Sequence, residues 1–238
     1  MFSRRHPFLF FILIMTTIMV SGGVIISLLV FSSGRDGRHF ALGEKVGVIE
    51  VNGVIIEAKQ TLEHLKDFRK DPSIKAIVMR INSPGGAVGP AQEIYREVRK
   101  TASEKKVVAS LASMAASGGY YIAAATDEIL ANPGTITGSI GVIMSYTNLQ
   151  ELFDKIGLSP VVIKSGEYKD IASPVREMSE KEKQILQGFA DDIHNQFVTD
   201  VADGRGMDLA AVQKLADGRI YTGQKAKELG LVDAFGNL

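Results

Sequence analysis

An uncharged apolar run from Phe8 to Phe31 divides this chain into two parts of different kind. As a helix rising about 1.5 Å per residue, the run is long enough to cross a hydrocarbon core of roughly 30 Å. It is longer than the apolar part of a cleaved secretory signal, and Ser32-Ser33-Gly34 is a poor cleavage site. We therefore predict a retained anchor, with residues 1–31 as tail and transmembrane helix, 32–43 as a polar linker and 44–238 as one soluble domain.

Composition excludes several classes of function. Lys plus Arg number 27, as do Asp plus Glu, so no overall field attracts nucleic acid. The absence of cysteine excludes disulfides, a thiol nucleophile and cysteine-bound metal. The four histidines lie far apart in the sequence and form no paired metal motif. We therefore expect no nucleic-acid partner, no metal and no cofactor.

After the linker, short β-branched runs alternate with amphipathic segments, a pattern typical of βαβ units and a parallel sheet. The expected class is α/β. The pattern predicts strands at 46–51, 76–81, 107–111, 129–131, 140–144 and 160–163, and helices at 61–69, 90–101, 117–125, 149–156, 177–201, 210–216 and 223–229. Ser179 and Glu182 have the spacing of a capping box for the longest helix. Ligands of such sheets bind at the carboxyl ends of the strands, where glycine-rich loops follow in this chain.

One of those loops carries a candidate nucleophile, Ser117, crowded by small residues and followed by two glycines. A serine hydroxyl needs a base, and a lysine can serve if burial lowers its pKa from about 10.4 toward 7–8. Lys169 follows an apolar stretch and a glycine turn, and no histidine lies between the two residues to build a histidine-based triad. The backbone N–H groups of Gly85 and Gly118 are candidate donors to an oxyanion, with Gly86 as an alternative to Gly85.

Other residues of similar type compete for these roles. Lys164 ends an apolar run and is an alternative base. Ser83 and Ser113 are alternative hydroxyls that we interpret as turn or packing residues. Ser103 and Lys106 have the SxxK spacing of penicillin-binding enzymes, but the SDN and KTG partner motifs are missing, so we interpret them as a solvated turn.

Together, in their order and spacing, the motifs resemble those of the signal peptide peptidase A family, membrane-anchored serine peptidases of the Clp/crotonase superfamily. The resemblance rests on the segments VNGVI at 51–55, NSPGG at 82–86, AASGGYY at 115–121, GTITGSIGV at 134–142 and GEYKD at 166–170. It implies a Clp/crotonase-like fold of repeated ββα and βαβ units, with Ser117 as nucleophile and Lys169 as general base. It also implies that Gly85 and Gly118 line the oxyanion hole.

The same resemblance implies a setting and partners. It suggests a single-pass protein of the bacterial inner membrane whose catalytic domain lies on the periplasmic or extracytoplasmic side, an orientation that the slight bias of flanking arginines barely indicates. The implied substrates are released signal peptides and misfolded envelope proteins. The implied assembly is a homo-oligomer, an octameric ring that combines the serine of one protomer with the lysine of its neighbour. The alternatives are a crotonase-type acyl-CoA enzyme and a non-catalytic membrane scaffold.

Overall fold

The computed structural model describes residues 6–33 and 44–238 of the chain. Contacts between residues divide it into two units, with the boundary after residue 43. Almost all of the expected linker at 32–43 lies outside the described residues.

The first unit contains helix α1, Pro7–Ser33. The segment Pro7–Ile26 is long and apolar enough, by length and composition, to cross a membrane. Large apolar side chains such as Phe8, Met19 and Val20 are exposed in this unit. Exposing so much apolar surface to water is unfavourable, whereas the interior of a membrane would accommodate it. The chain therefore carries a candidate membrane span near its N-terminus.

The second unit is an α/β domain built on a mainly parallel sheet. The strands are β1 Lys45–Asn52, β2 Ile74–Ser83, β3 Lys106–Ala116, β4 Glu128–Ala131, β5 Ile136–Gly138, β6 Ile220–Thr222 and β7 Ala234–Phe235. The order is β1-β2-β3-β4-β7, with every pair parallel. β5 pairs in parallel with the last residues of β3, and β6 runs antiparallel to β5. The end of β3 is thus held between β2 and β5.

Helices cover the sheet and fix the position of the end of β3. They are α2 Lys59–Lys70, α3 Val88–Ala102, α4 Gly118–Ala124, α5 Gln150–Lys155, α6 Glu180–Arg205, α7 Leu209–Leu215 and α8 Gly223–Glu228. Every residue of α4 is buried, and its contacts include α3, α6, β2 and β3. Ile77, Met79 and Ile81 of β2 are completely buried in the same core. A buried short helix at a strand end leaves its first residue little freedom to move.

Helix α6 begins where the sequence indicates. Ser179 accepts from the Glu182 N–H at 3.2 Å, and the Glu182 carboxylate accepts from the Ser179 N–H at 2.9 Å, which confirms the capping box. The helix ends at Gly206, whose left-handed conformation (φ 60°) is typical of a helix C-terminus.

Two predicted strands are wrong. Within the described residues, 140–144 and 160–163 pair with no strand. Ile140 is completely buried and its carbonyl accepts from the Gly218 N–H at 3.1 Å, whereas Ile143, Val161 and Ile163 are exposed by 91%, 85% and 95%. The β-branched pattern that suggested strands therefore marks segments in which most of the apolar side chains are exposed in a single chain.

Candidate active site

Ser117 lies at the junction of β3 and α4, at the carboxyl end of the sheet. Its N–H donates to the Gly138 carbonyl at the end of β5 (2.8 Å), and its carbonyl accepts from the Tyr121 N–H (2.8 Å). These bonds hold the backbone at φ 51° and ψ −123°, a conformation that side-chain-bearing residues rarely adopt. Such a conformation costs about 1–3 kcal/mol and persists where the surroundings fix it, commonly at functional sites.

The loop after β2 approaches Ser117 so closely that only glycine fits there. A Cβ on Gly85 would lie 2.8 Å from the Ser117 Cβ and 2.7 Å from the Gly118 nitrogen. Gly85 also has φ +97°, where a side chain would be strained. The loop is fixed in turn by Ile55, whose N–H donates to the Gly85 carbonyl at 2.9 Å. Two separate glycine turns are thereby brought together around the serine.

The available N–H groups beside Ser117 differ from those expected in one respect. The N–H of Gly85, an expected oxyanion donor, is engaged by the Ser83 hydroxyl at 3.1 Å. Within residues 44–238, no acceptor engages the N–H groups of Gly86 and Gly118. The Gly86 nitrogen lies 3.4 Å from the position that a Cβ of Gly118 would occupy. Among the described residues, Gly86 and Gly118 therefore each present a backbone N–H without an acceptor beside Ser117.

A small, mostly apolar cavity of about 30 Å³ opens beside Ser117. A cavity of this size holds a group of roughly the size of one water molecule. Its walls come from the NSPGG loop, α3, α4, α6 and the segment after β5: Gly86, Val88, Ala91, Ser117, Gly118, Tyr121, Gly141, Val142, Ile193 and Phe197. The arrangement suits a small apolar side chain next to the nucleophile.

Tyr121 forms a rigid wall of this cavity. Its ring packs against Phe197 at 4.5 Å and against Tyr95 at 5.1 Å between ring centroids. Its hydroxyl donates to the Asp200 carboxylate, and Gln92 lies 3.4 Å from the same hydroxyl. Burial, together with the Asp200 carboxylate, raises the pKa of Tyr121 well above its usual range. The tyrosine therefore stays neutral and keeps its hydroxyl directed into α6.

Lys169 lies in a series of turns between residues 165 and 176, and its side chain is exposed. Its N–H donates to the Gly166 carbonyl at 3.2 Å. In the described part of a single chain it makes no hydrogen bond to Ser117 and does not line the cavity. The structure of one chain thus brings Ser117, Gly85, Gly86 and Gly118 together but not Lys169.

Arg176 links the turns around Lys169 to the start of α6. Its Nε lies 2.9 Å from Asp170 Oδ2, and its Nη1 and Nη2 lie 2.9 Å and 2.5 Å from the two carboxylate oxygens of Glu182. Hydrogen bonding from Arg176 lowers the pKa of Glu182 to about 2 and holds the pKa of Asp170 well below its usual range. The sequence analysis did not identify Arg176. Its only signal in the sequence is that an acidic residue lies six positions before it and another six positions after it.

The competing candidates have other partners. The Lys164 ammonium lies 2.5 Å from Asp170 Oδ1 and donates to the Glu167 carbonyl. Ser83 is buried in the turn that it stabilises, and Ser113 is exposed on the sheet. The Ser103 hydroxyl donates to the Lys100 carbonyl at the end of α3, which agrees with a solvated turn.

The histidines show no catalytic arrangement in the described residues. His64 stacks with Phe68 on α2, at 6.2 Å between ring centroids. His194 lies on α6, where its Nε2 is buried without a partner among the described residues, but it does not line the cavity beside Ser117. No cluster of metal-ligating side chains occurs in residues 6–33 and 44–238.

A strained serine at a strand end, flanked by free N–H groups in an α/β domain with a parallel sheet, is the arrangement expected of a serine hydrolase. Residues 51–134 match the model of the Clp protease family. Residues 99–238 match the model of peptidase family S49. The chain belongs to peptidase family S49, and it is a serine peptidase by class.

Its relatives carry peptidase names. It is 49% identical to a candidate protease of Synechocystis sp., over 81% of this chain and 70% of that protein. It is 40% identical to a candidate signal peptide peptidase SppA of Enterococcus faecium, over 82% of this chain and 61% of that protein. It is 35% identical to the chloroplastic serine protease SPPA of Arabidopsis thaliana, over 81% of this chain but 28% of that protein. The chain thus spans only part of the length of the relatives that it matches.

Proposed function

We propose that this chain is a membrane-anchored serine endopeptidase in which Ser117 is the nucleophile and Lys169 the general base. The observation that carries the proposal is the backbone of Ser117, strained at φ 51° and flanked by the free N–H groups of Gly86 and Gly118. A strained, fixed hydroxyl beside preorganised donors suits acyl transfer better than packing or helix capping. Ser117 makes no side-chain cap bond to α4, so its hydroxyl has no structural task there.

In the proposed reaction, neutral Lys169 takes the proton of the Ser117 hydroxyl while Oγ attacks the scissile carbonyl carbon. The carbonyl oxygen becomes an oxyanion, which the N–H groups of Gly118 and Gly86 stabilise. Lys169 returns the proton to the leaving amine, and an acyl ester remains on Ser117. Water, deprotonated by Lys169, then hydrolyses the ester and restores the serine.

We propose that Lys169 reaches Ser117 of a neighbouring copy of the chain. Lys169 does not line the cavity beside Ser117 of its own chain, and it lies close in sequence to the exposed apolar segment that contains Val161 and Ile163. An exposed apolar surface of this kind commonly marks an interface. A closed homo-oligomer, an octameric ring by resemblance, would bury that segment and complete each site with a lysine from the next protomer.

The cavity and helix α1 support a substrate class and a location. An apolar cavity of about 30 Å³ next to Ser117 favours a small side chain before the cleaved bond. Signal peptides contain apolar segments that could place such a side chain in the cavity, and a relative from Enterococcus carries the signal peptide peptidase name. With α1 in the inner membrane and the domain outside it, the enzyme would meet such peptides after their release.

The test is hydrolysis of a fluorogenic apolar peptide by the full chain in detergent, beside Ser117→Ala and Lys169→Ala. We expect both variants to assemble as the parent does, by light scattering, and to lose activity. An assembled but inert parent would support the scaffold alternative. Retained activity in Ser117→Ala would contradict the proposed nucleophile, and loss in Ser117→Ala alone would move the search for a base to Lys164.

A further inference from the structure

A cluster of four charged side chains surrounds the turns that carry Lys169. At its centre Arg176 contacts Asp170 and Glu182 in a forked arrangement, and its Nη2 also donates to the Asp170 carbonyl at 3.1 Å. Lys164 completes the cluster on the other side of Asp170, at 2.5 Å. The Glu182 side chain is only 4% exposed, whereas that of Arg176 is 32% exposed. A forked arginine with two carboxylates fixes relative orientation as well as distance.

The cluster fixes the residues on either side of Lys169. Asp170 is its direct neighbour, and Glu167, two residues before it, accepts from Lys164 through its carbonyl at 2.8 Å. Glu182 belongs to the capping box of α6, so the far side of the arginine rests on the first turn of a 26-residue helix. The turns are therefore tied by Arg176 to the capped first turn of the longest helix of the domain.

The far end of the turns is also tied to the start of α5, where the Leu149 N–H donates to the Pro174 carbonyl at 2.6 Å and the Glu177 N–H to Gln150 Oε1 at 3.0 Å, but the part that precedes and includes Lys169 has few other contacts. Residues 157–169 contain no helix or strand, and nearly all are exposed. Lys181 of α6 adds a contact over the Tyr168 ring at 5.1 Å and an ion pair with Glu167 at 3.6 Å, both at an exposed position. Exposed pairs contribute little, so next to Lys169 the turns depend mainly on the partly buried contacts of Arg176.

We infer that Arg176 is a positioning residue for Lys169, holding the base-bearing turns on the N-terminus of α6. The inference rests on the proposed role of Lys169 as general base. Arg176 touches no reacting atom, and its effect would arise from geometry: a base displaced by about 1 Å can lower the rate about 100-fold. Loss of the arginine would also leave the buried Glu182 carboxylate without its main counter-charge, which would loosen the start of α6.

The experiment compares Arg176→Gln and Arg176→Lys in the full chain in detergent, with Arg205→Gln as the matched control. Arg205 also lies on α6 and pairs with an aspartate, Asp233 at 2.5 Å, but at the opposite end of the helix. We expect Arg176→Gln to lower kcat about 10- to 100-fold with KM nearly unchanged, because substrate binding does not use the displaced base. Arg176→Lys, which keeps the charge but not the fork, should recover part of kcat.

The outcomes separate this inference from the proposed function. Full activity in Lys169→Ala would remove the proposed base and the inference with it. An inactive Lys169→Ala beside an Arg176→Gln variant of normal kcat would overturn the inference alone. An equal loss of kcat in Arg205→Gln at a similar loss of Tm, or dissociation of Arg176→Gln by light scattering, would show that the arginine acts only on stability or assembly, which also overturns it.

Discussion

At the scale of single residues, the backbone conformation of Ser117 suits its proposed role in catalysis but lowers the stability of the folded domain. Its φ of 51° suits glycine, yet the proposed reaction requires a hydroxyl at this position. The sequence could show the glycines around Ser117 but not the strain at the serine itself, because the strain arises from the bond to Gly138, far along the chain. Where catalysis keeps a residue in a strained conformation, replacing that residue should raise the stability of the folded domain at the cost of activity.

Replacing Ser117 by glycine should therefore stabilise the domain more than replacing it by alanine does, and both variants should be inactive. Glycine relieves strain of about 1–3 kcal/mol, less about 1 kcal/mol for the greater freedom of its unfolded chain. The expected advantage of Ser117→Gly over Ser117→Ala is about 1 kcal/mol. Urea denaturation of the two variants measures it, and a less stable Ser117→Gly would show that the serine is not strained.

The proposed oxyanion donors show the limit of sequence reasoning at this scale. A double glycine after Pro84 predicted a donor turn, and the close approach of Gly85 to Ser117 explains why a glycine is needed there. Which of the two N–H groups points away from other acceptors depends on the Ser83 hydroxyl and on the strand-like bridge between Ile55 and Gly86. Those contacts form only in the folded domain, so the sequence could not distinguish Gly85 from Gly86.

At the scale of elements, helices and central strands were predictable and the segment after β5 was not. β1, β2, β4 and helices α2 to α8 lie within a few residues of their predicted places, because each carries its own apolar periodicity or capping signal. β3 was predicted to end at Leu111 but continues to Ala116, where it pairs with β5. β5, β6 and β7 are two or three residues long and exist only through pairing. The apolar run at 140–144 has strand propensity but pairs with no strand in the described residues. Propensity alone does not make a strand.

The cavity formed by α3, α4 and α6 predicts which residue precedes the cleaved bond. Peptides with alanine at that position should have a kcat/KM about tenfold or more above those with leucine, since each methylene in or out of such a pocket changes the rate about 10-fold or more. Val88→Ala, at a half-buried position in the cavity wall, should enlarge the cavity and reduce the ratio of kcat/KM for alanine over leucine. Val54→Ala, at an exposed position outside the cavity, is the control and should leave it unchanged. Equal rates for both peptides in the parent would contradict this assignment of the pocket.

The ion cluster at the start of α6 predicts how the domain responds to acid. Glu182 has a folded-state pKa of about 2 against an ordinary value of 4.5, and that of Asp170 is also depressed. Groups with depressed pKa stabilise the folded state above their unfolded-state pKa and lose this contribution as the pH falls through the folded-state value. Tm should therefore fall between about pH 5 and 2. The fall should be smaller in Arg176→Gln, in which these carboxylates lack their main partner, and an identical fall would contradict the assignment.

At the scale of the whole molecule, the exposed apolar segment and the distant lysine point to one explanation. Side chains such as Ile143 and Ile163 are almost fully exposed in one chain, and the same region carries Lys169, the proposed base. In the proposed reaction, a monomer would leave the apolar surface exposed and Ser117 without its base. The proposed assembly would resolve the two problems together, because covering the segment would bring Lys169 to a neighbouring Ser117.

Co-expression of Ser117→Ala with Lys169→Ala tests whether sites are shared between copies. Each variant alone should be inactive, but a mixed ring contains interfaces at which an intact serine meets an intact lysine. With random mixing, about a quarter of the interfaces combine both, so about a quarter of the parent activity should return. Adding Lys169→Ala to the Ser117→Ala partner removes every intact lysine and should abolish the recovery. If tandem affinity tags show mixed assemblies without any activity, each site must instead be built within one chain, and Lys169 must then reach Ser117 by a rearrangement of its own turns.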